Sequence, residues 1–499
     1  MSQREASEAA PGFGAPRRDS YSRLAVADGL LAFTVVTTLA AAAGATDDLA
    51  DSFVLLSVSA VTASIAIATR RTFVRRERPP TAQVIAGLAS TWVSLVAAGS
   101  VVYLASGTIT TVDEALFESA AGFSTVAATT VDPESLGTSM SLFRAGTQFV
   151  GGLVGLLAGV VALPRTMKGN VQIPKGRGSR ADRLVPDPVI GRQRVVRLYL
   201  ALVTACGFGY LITGLGARSS LIHALTTVST GGFSDRADSL ASAPGGAKIV
   251  ATVFMLIGGM SFFALFWLLR GNHRRFVQSP ELRIYLGIIG LVTLSLLREV
   301  DGLSVRDALF TAASASSTTG LAVNDWTGFP SGALALLLVA VATGAMGASA
   351  GGGLRVIRAW LLCLIAAREI RRQLDPKAVT VVRHGGRTLR DEELDSLTGY
   401  QIAHFGLCGI GAFMLALTGD QLVDSLWTAI SVVSTFGPAP TMGAFGDADE
   451  LGRLGQLAMI PGMLAGRLTI LPLLLAVAAL QQGYRALFLG IRRVARPQR

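Results

Sequence analysis

The sequence predicts an all-α polytopic membrane protein: four pseudo-symmetric helix–pore-helix–filter–helix repeats around one pore, preceded by a two-helix hairpin. Three observations predict it. Of 499 residues, 51% are hydrophobic and only 15% are charged, with a mean hydropathy of +0.52, whereas soluble domains carry about 25% charged residues. Apolar runs of membrane length recur near 25–45, 51–69, 82–105, 140–164, 195–216, 246–269, 282–298, 331–366, 399–418 and 455–481, which no soluble core repeats so often. Finally, four short Ser/Thr-Gly segments lie between successive runs, with reference positions Ala127, Gly231, Gly320 and Gly437. A pore that strips water from a cation needs a ring of backbone carbonyls, and one chain can supply it from four quasi-repeats.

Charge placement orients the chain. The net charge of +11 gathers in Arg70–Arg78, Lys168–Arg197, Arg270–Arg275, Arg368–Arg390 and Arg485–Arg499. These clusters alternate with acidic segments at Asp47–Asp48, Asp132–Glu134, Asp235 with Asp238, and Asp447–Glu450. This is the asymmetry of an inner (plasma) membrane protein with both termini cytoplasmic, and its first partner is membrane lipid. Nucleic acid is not needed to explain the charge. Cys206, Cys363 and Cys408 all lie in apolar runs, without metal or disulfide spacing. Residues 1–27 are polar and lack the apolar core of a signal peptide, so they read as a cytoplasmic tail. His223, His273, His384 and His404 show no ligand spacing, and no nucleotide-binding or nucleophile motif appears. The reading is of a non-enzyme without organic cofactor.

Taken in order, the chain divides into a tail (1–24), a hairpin (25–79), and repeats at 80–192, 193–278, 279–395 and 396–499, the last ending in a basic tail. Within each repeat a stretch too short to span the bilayer runs into its Ser/Thr-Gly segment: Asp113–Ser119, Ser219–Val228, Val305–Ala315 and Val423–Val433. Such re-entrant helices survive at membrane depth only when buried in protein or lining water. Their C-terminal ends carry partial negative charge and favour a cation. The filter candidates are Ser124, Thr125, Val126 and Ala127; Ser229, Thr230, Gly231 and Gly232; Thr318, Thr319, Gly320 and Leu321; and Thr435, Phe436, Gly437 and Pro438.

Four further features stand out. The run 331–366 is too long for one span and is Gly-rich from Gly344 to Gly353. Glycine costs a helix roughly 0.5–1 kcal/mol per residue, so this stretch is expected to unwind; the alternative is close packing through small residues. Arg467 lies within the last span, where a cation is expensive; it reads as a site residue or as a snorkelling side chain. Arg144 is expected to form a structural ion pair with Glu118 or Asp113, and Lys248 to sit at the outer interface.

These residues resemble the Trk/Ktr/HKT superfamily of potassium transporters, most of all its bacterial TrkH/KtrB membrane subunits. The likeness rests on Phe117-Glu118-Ser119, Gln148-Phe149-Val150-Gly151-Gly152, Thr227 to Ser234, Gly259-Met260-Ser261-Phe262, Ser317 to Gly320, Ala348 to Arg355, Gly437-Pro438 and Gly466-Arg467-Leu468, in the family's order. The resemblance implies K⁺ as the transported ion, held at Thr125, Thr230, Thr319, Gly231, Gly320 and Gly437. It implies a gate beneath the filter formed by Gly347, Ala348, Ser349, Ala350, Gly351, Gly352 and Gly353, with Arg467 facing the pore as a barrier or binding the gate. It also implies a homodimer regulated by a cytosolic Rossmann-type nucleotide-binding subunit. This chain departs from the pattern twice. Ala127 stands where the filter has glycine, and an L-residue forced into a left-handed conformation costs on the order of 1–2 kcal/mol. Thr469 stands where an acidic residue often follows Arg467. Relaxed K⁺/Na⁺ selectivity therefore stands beside strict K⁺ uptake, and coupling to H⁺ or Na⁺ stays open. An ion-coupled organic-solute carrier also fits broken helices, but it calls for two related halves rather than four related quarters.

Overall fold

A computed structural model describes residues 20–73, 81–162, 188–375, 381–384 and 387–468. Among these the chain is helical, apart from a two-residue antiparallel pairing of β1 (Arg383–His384) with β2 (Arg387–Thr388). The hairpin comprises α1 (Ser20–Gly44) and α2 (Leu49–Thr72). Apolar packing alone does not distinguish helix neighbours in lipid. Here hydroxyls fix the register: Thr34 pairs with Thr62 at 3.0 Å and Thr38 with Ser59 at 2.6 Å.

The remaining helices fall into four sets, each with a leading helix, a short helix and a following helix. The first set is α3 (Thr81–Ala105), α4 (Val112–Ser124) and α5 (Thr138–Leu157), the last continuing as a π turn to Ala162. The second is α6 (Pro188–Ile212), α7 (Ala217–Val228) and α8 (Gly245–Gly259), followed by α9 (Phe262–Leu269) and α10 (His273–Val277). The third is α11 (Pro280–Glu299), α12 (Val305–Ser317) and α13 (Ser331–Thr343), followed by α14 (Val356–Leu374). The fourth is α15 (Asp391–Ala416), α16 (Leu422–Val433) and α17 (Gly452–Leu468). Packing between sets closes on itself: α5 lies on α7, α8 on α12, α13 on α16, and α17 on α4.

Among the described residues seven helices are long and apolar enough to cross a membrane, and an eighth counts if α8 and α9, bent by 106°, form one span. One expected span is therefore corrected, and the expected break in another is seen. The run 246–269 is not one straight helix, because Met260 and Ser261 leave helical geometry after two glycines. The run 331–366 is two helices, with residues 344–355 unwound between them, as the glycine content requires. The final span, expected over 455–481, is described only to Leu468, and the basic tail lies outside the described residues.

Glycines seat the short helices. A Cβ on Gly151 of α5 would overlap the Phe123 carbonyl, and one on Gly466 of α17 the Val433 carbonyl. One on Gly351 would lie 2.5 Å from the Ser317 carbonyl. In three of the four sets, then, a following glycine lets backbone press directly on the C-terminal end of a short helix.

Candidate functional site

All four short helices end the same way. The amide two or three residues past each helix donates to a carbonyl five residues back: Val126 to Ala121 (2.9 Å), Gly231 to Thr226 (2.8 Å), Thr319 to Ser314 (3.0 Å) and Phe436 to Ser431 (2.9 Å). This closure needs one left-handed residue, usually glycine. Here it is a threonine every time, with φ of 55° at Thr125, 54° at Thr230, 57° at Thr318 and 58° at Thr435. A β-branched residue in that region is an outlier, and such strain collects at functional sites.

This closure fixes the register between the four segments. Two residues past each left-handed threonine stand Ala127, Gly232, Gly320 and Gly437. The three glycines have φ of 80°, 81° and 105°. The reference position in the second segment is therefore Gly232, not Gly231, and the residue matching Thr125 and Thr230 is Thr318, not Thr319. A cavity of about 270 Å³ supports this register, because Ala127, Gly232 and Gly320 line it together with Asp132, Asp447 and Asp449. Gly231 is engaged elsewhere: its carbonyl accepts from Gln148 Nε2 at 2.8 Å, while Gln148 Oε1 accepts from the Phe233 amide at 3.0 Å. Gln148 on α5 thus laces the second segment from behind. Its only signal in the sequence is its place in Gln148-Phe149-Val150-Gly151-Gly152, which carries no role for the side chain.

Ala127 does not take a left-handed φ, so the expected strain is absent there. Instead its segment runs beside the fourth. The Ala127 amide donates to the Phe436 carbonyl at 3.1 Å, the Thr129 amide to Gly446 at 2.9 Å, and the Ala448 amide to Thr129 at 2.8 Å. A Cβ on Gly446 would overlap the Ala127 carbonyl, and one on Gly232 would lie 2.7 Å from the Ala127 methyl. The first segment therefore differs in conformation from the other three.

Behind it lies a buried ion pair. Arg144 Nε meets Glu118 Oε1 at 2.9 Å, with both side chains buried. The second Glu118 oxygen accepts from the Thr130 amide at 3.0 Å, Arg144 Nη2 donates to Thr129 Oγ1 at 2.8 Å, and the guanidinium lies 4.4 Å from the Phe233 ring. Asp113, the other expected partner, faces Arg453 instead. Lys248 lies in the first turn of α8 and is buried.

The 344–355 loop is packed against the helix ends from the other side. The Gly352 amide donates to Thr318 Oγ1 at 2.7 Å, and a Cβ on Gly352 would overlap Thr435 Oγ1 and the Ser434 carbonyl. The loop hangs on α8 through Met346 to Gly259 (3.0 Å) and Ala350 to Gly258 (3.2 Å), and on α9 through the Phe262 amide to Ala348 (3.0 Å). Arg467, buried on α17, donates to the Ala350 carbonyl at 2.6 Å and to the Gly151 carbonyl at 3.2 Å. It thus bridges the loop to α5 and does not snorkel. Thr469 lies outside the described residues. Two loop contacts were invisible in the sequence: Arg355 Nη1 donates to Ser349 Oγ at 2.9 Å, and Glu281 Oε1 accepts from the Gly347 amide at 2.5 Å. The nearest signal for Glu281 was its position in the first turn of a helix opened by Ser279-Pro280.

Known proteins resemble this chain over most of its length. The solved potassium transporter TrkH from Vibrio parahaemolyticus superposes with a TM-score of 0.81 at 25% identity, over 92% of this chain and 98% of that one. The Trk system potassium uptake protein TrkH of Vibrio parahaemolyticus serotype O3:K6 is 29% identical over 413 residues, covering 77% of this chain and 82% of its own length. The protein of the same name from Escherichia coli strain K12 is 28% identical over 380 residues, covering 73% and 78%. The family model described as a cation transport protein, TrkH, matches residues 57–485. A multi-pass membrane protein, and a transporter rather than an enzyme, this chain belongs to the TrkH family of cation transport proteins.

Proposed function

We propose that this chain is the membrane subunit of a Trk/Ktr-type system and takes up K⁺ through a gated selectivity filter made by four pseudo-symmetric repeats. The observation that carries this reading is the fourfold helix end: a left-handed threonine followed two residues on by Ala127, Gly232, Gly320 or Gly437, the first three of which line one carboxylate-bearing cavity. Thr125 Oγ1 and Thr435 Oγ1 are buried with no protein partner, as oxygens facing a cation or its water would be. In this reading K⁺ is held near Thr125, Thr230, Thr318 and Thr435 and by the carbonyls of the four segments. The 344–355 loop is the gate, and Arg467 is its clasp. The cavity bearing Asp132, Asp447 and Asp449 is the outer mouth, with both termini on the cytoplasmic side. A homodimer served by a cytosolic nucleotide-binding subunit on the basic loops completes the reading, on the strength of the family resemblance.

A second reading, relaxed K⁺/Na⁺ selectivity, is favoured by Ala127 alone. Its carbonyl packs against Gly446, so the first segment offers the ion one ligand fewer. Expression of this chain should restore growth of a potassium-uptake-deficient bacterium at low K⁺; failure despite good membrane insertion, with and without a nucleotide-binding partner, sinks the first reading. K⁺ and Na⁺ flux into liposomes, for the parent and for Ala127→Gly, decides between the two. Equal discrimination by both proteins removes Ala127 from the argument.

A further inference from the structure

The 344–355 loop is held by side chains of opposite sign from different helices. On one side Arg467 of α17 takes the Ala350 carbonyl. On the other, Glu281 in the first turn of α11 takes the Gly347 amide at 2.5 Å, and its carboxylate also faces the Ile357 amide at the start of α14 and the Arg355 guanidinium. Glu281 therefore touches the loop near its middle and the helix that follows it. Arg355 in turn bonds back to the Met346 carbonyl and Ser349 Oγ, a strut inside the loop itself. Removing Glu281 frees the Gly347 amide and leaves Arg355 without the carboxylate that faces it.

The position of Glu281 gives this contact a mechanical meaning. The segment from Phe262 to Glu281 leaves the α8–α9 bend, turns through α9 and α10, and enters α11. With each of its own ends it grips the loop at the adjacent residues 347 and 348, through the Phe262 amide on the Ala348 carbonyl and through the Glu281 carboxylate on the Gly347 amide. Between those points it carries Arg270, Arg274 and Arg275, all exposed. A displacement of this basic turn is transmitted to the loop through two bonds.

We propose that Glu281 is a positioning residue, a latch that keeps the 344–355 loop seated beneath the helix ends and that releases it when the α9–α11 segment moves. The proposal rests on the reading of that loop as the gate. Its test is K⁺ flux into liposomes by the full chain without any partner, measured for the parent, Glu281→Ala, Glu281→Gln and Gly352→Ala. Glu281→Ala should raise basal K⁺ flux about ten-fold, the population shift expected from losing one charge-assisted hydrogen bond, while leaving the K⁺/Na⁺ flux ratio at the parent value. Glu281→Gln keeps an acceptor for the Gly347 amide but not the charge facing Arg355, and should fall between the two. A purely structural role would lower flux or alter the ratio. Parental or lower flux in Glu281→Ala, at an unchanged unfolding temperature, overturns the latch. Should that variant fail to fold, parental flux in Glu281→Gln overturns it equally. If Gly352→Ala raises flux and Glu281→Ala does not, only the latch falls; if neither does, the gate reading falls with it.

Discussion

The helix ends and the loop beneath them are built on opposite principles. Around the helix ends, the backbone is fixed both by its own closures and by braces behind it. Each left-handed threonine is fixed by its own helix closure, and Gln148 and the Arg144–Glu118 pair brace the segments from behind. The 344–355 loop is glycine-rich and is held by separate hydrogen bonds, among them two from α8, one each from α9, α11 and α17, and one to Thr318 Oγ1. Over-determination suits a part that must hold one geometry against ions of similar charge and different size. Single, separable bonds suit a part that must let go, since packed elements switch between discrete arrangements rather than deform.

The comparison can be broken most violently at the ion pair. Arg144→Ala leaves Glu118 buried without its partner, which costs about 3–5 kcal/mol. Thermal unfolding in detergent should show a large loss of stability, and membrane-inserted protein should fall with it. Little change in either would mean that the first segment does not depend on this brace.

Gly232→Ala is the next strongest probe. It sets a side chain at φ 80° and overlaps the Thr319 carbonyl. Its strain, on the order of 1–2 kcal/mol, should appear as a roughly ten-fold loss of K⁺/Na⁺ discrimination in liposome flux, since about 1.4 kcal/mol is a factor of ten. A Gly231→Ala control separates the two candidate registers: if Gly231 proves the more sensitive in selectivity, the register drawn from the left-handed threonines is wrong. Gly352→Ala sharpens the other side. Its Cβ meets Thr435 Oγ1 and the Ser434 carbonyl, so the loop should seat poorly and basal K⁺ flux rise several-fold, the scale of a coupling of about 1 kcal/mol, with discrimination intact. Reduced flux at unchanged folding would show that the loop does not occlude the path.

Much of this architecture was legible in the sequence because it depends on local properties. The apolar runs set the helices, the short amphipathic stretches set α4, α7, α12 and α16, and glycine content set the break at 344–355. The pairing of Arg144 with Glu118 could be narrowed to two carboxylates, because a buried guanidinium must find one. Locally decided, too, was the anomaly of Ala127, although its consequence was not: the backbone avoids the left-handed region, and the fourth segment takes up its amide.

The sequence by itself thus determined which segments are helices, which are too short to span, and where the chain cannot stay helical; these follow from composition and periodicity within a few turns. Tertiary structure alone decided that Gly232 rather than Gly231 lines the cavity, that Gln148 turns the Gly231 carbonyl aside, that α8 and α9 bend by 106°, and that Glu281 reaches the loop. Two adjacent glycines are equally permissive, and only the closure of the preceding helix and the neighbouring segments select which one takes φ > 0. Contacts such as Glu281 with Gly347 join residues far apart in the chain, and no local pattern encodes their meeting.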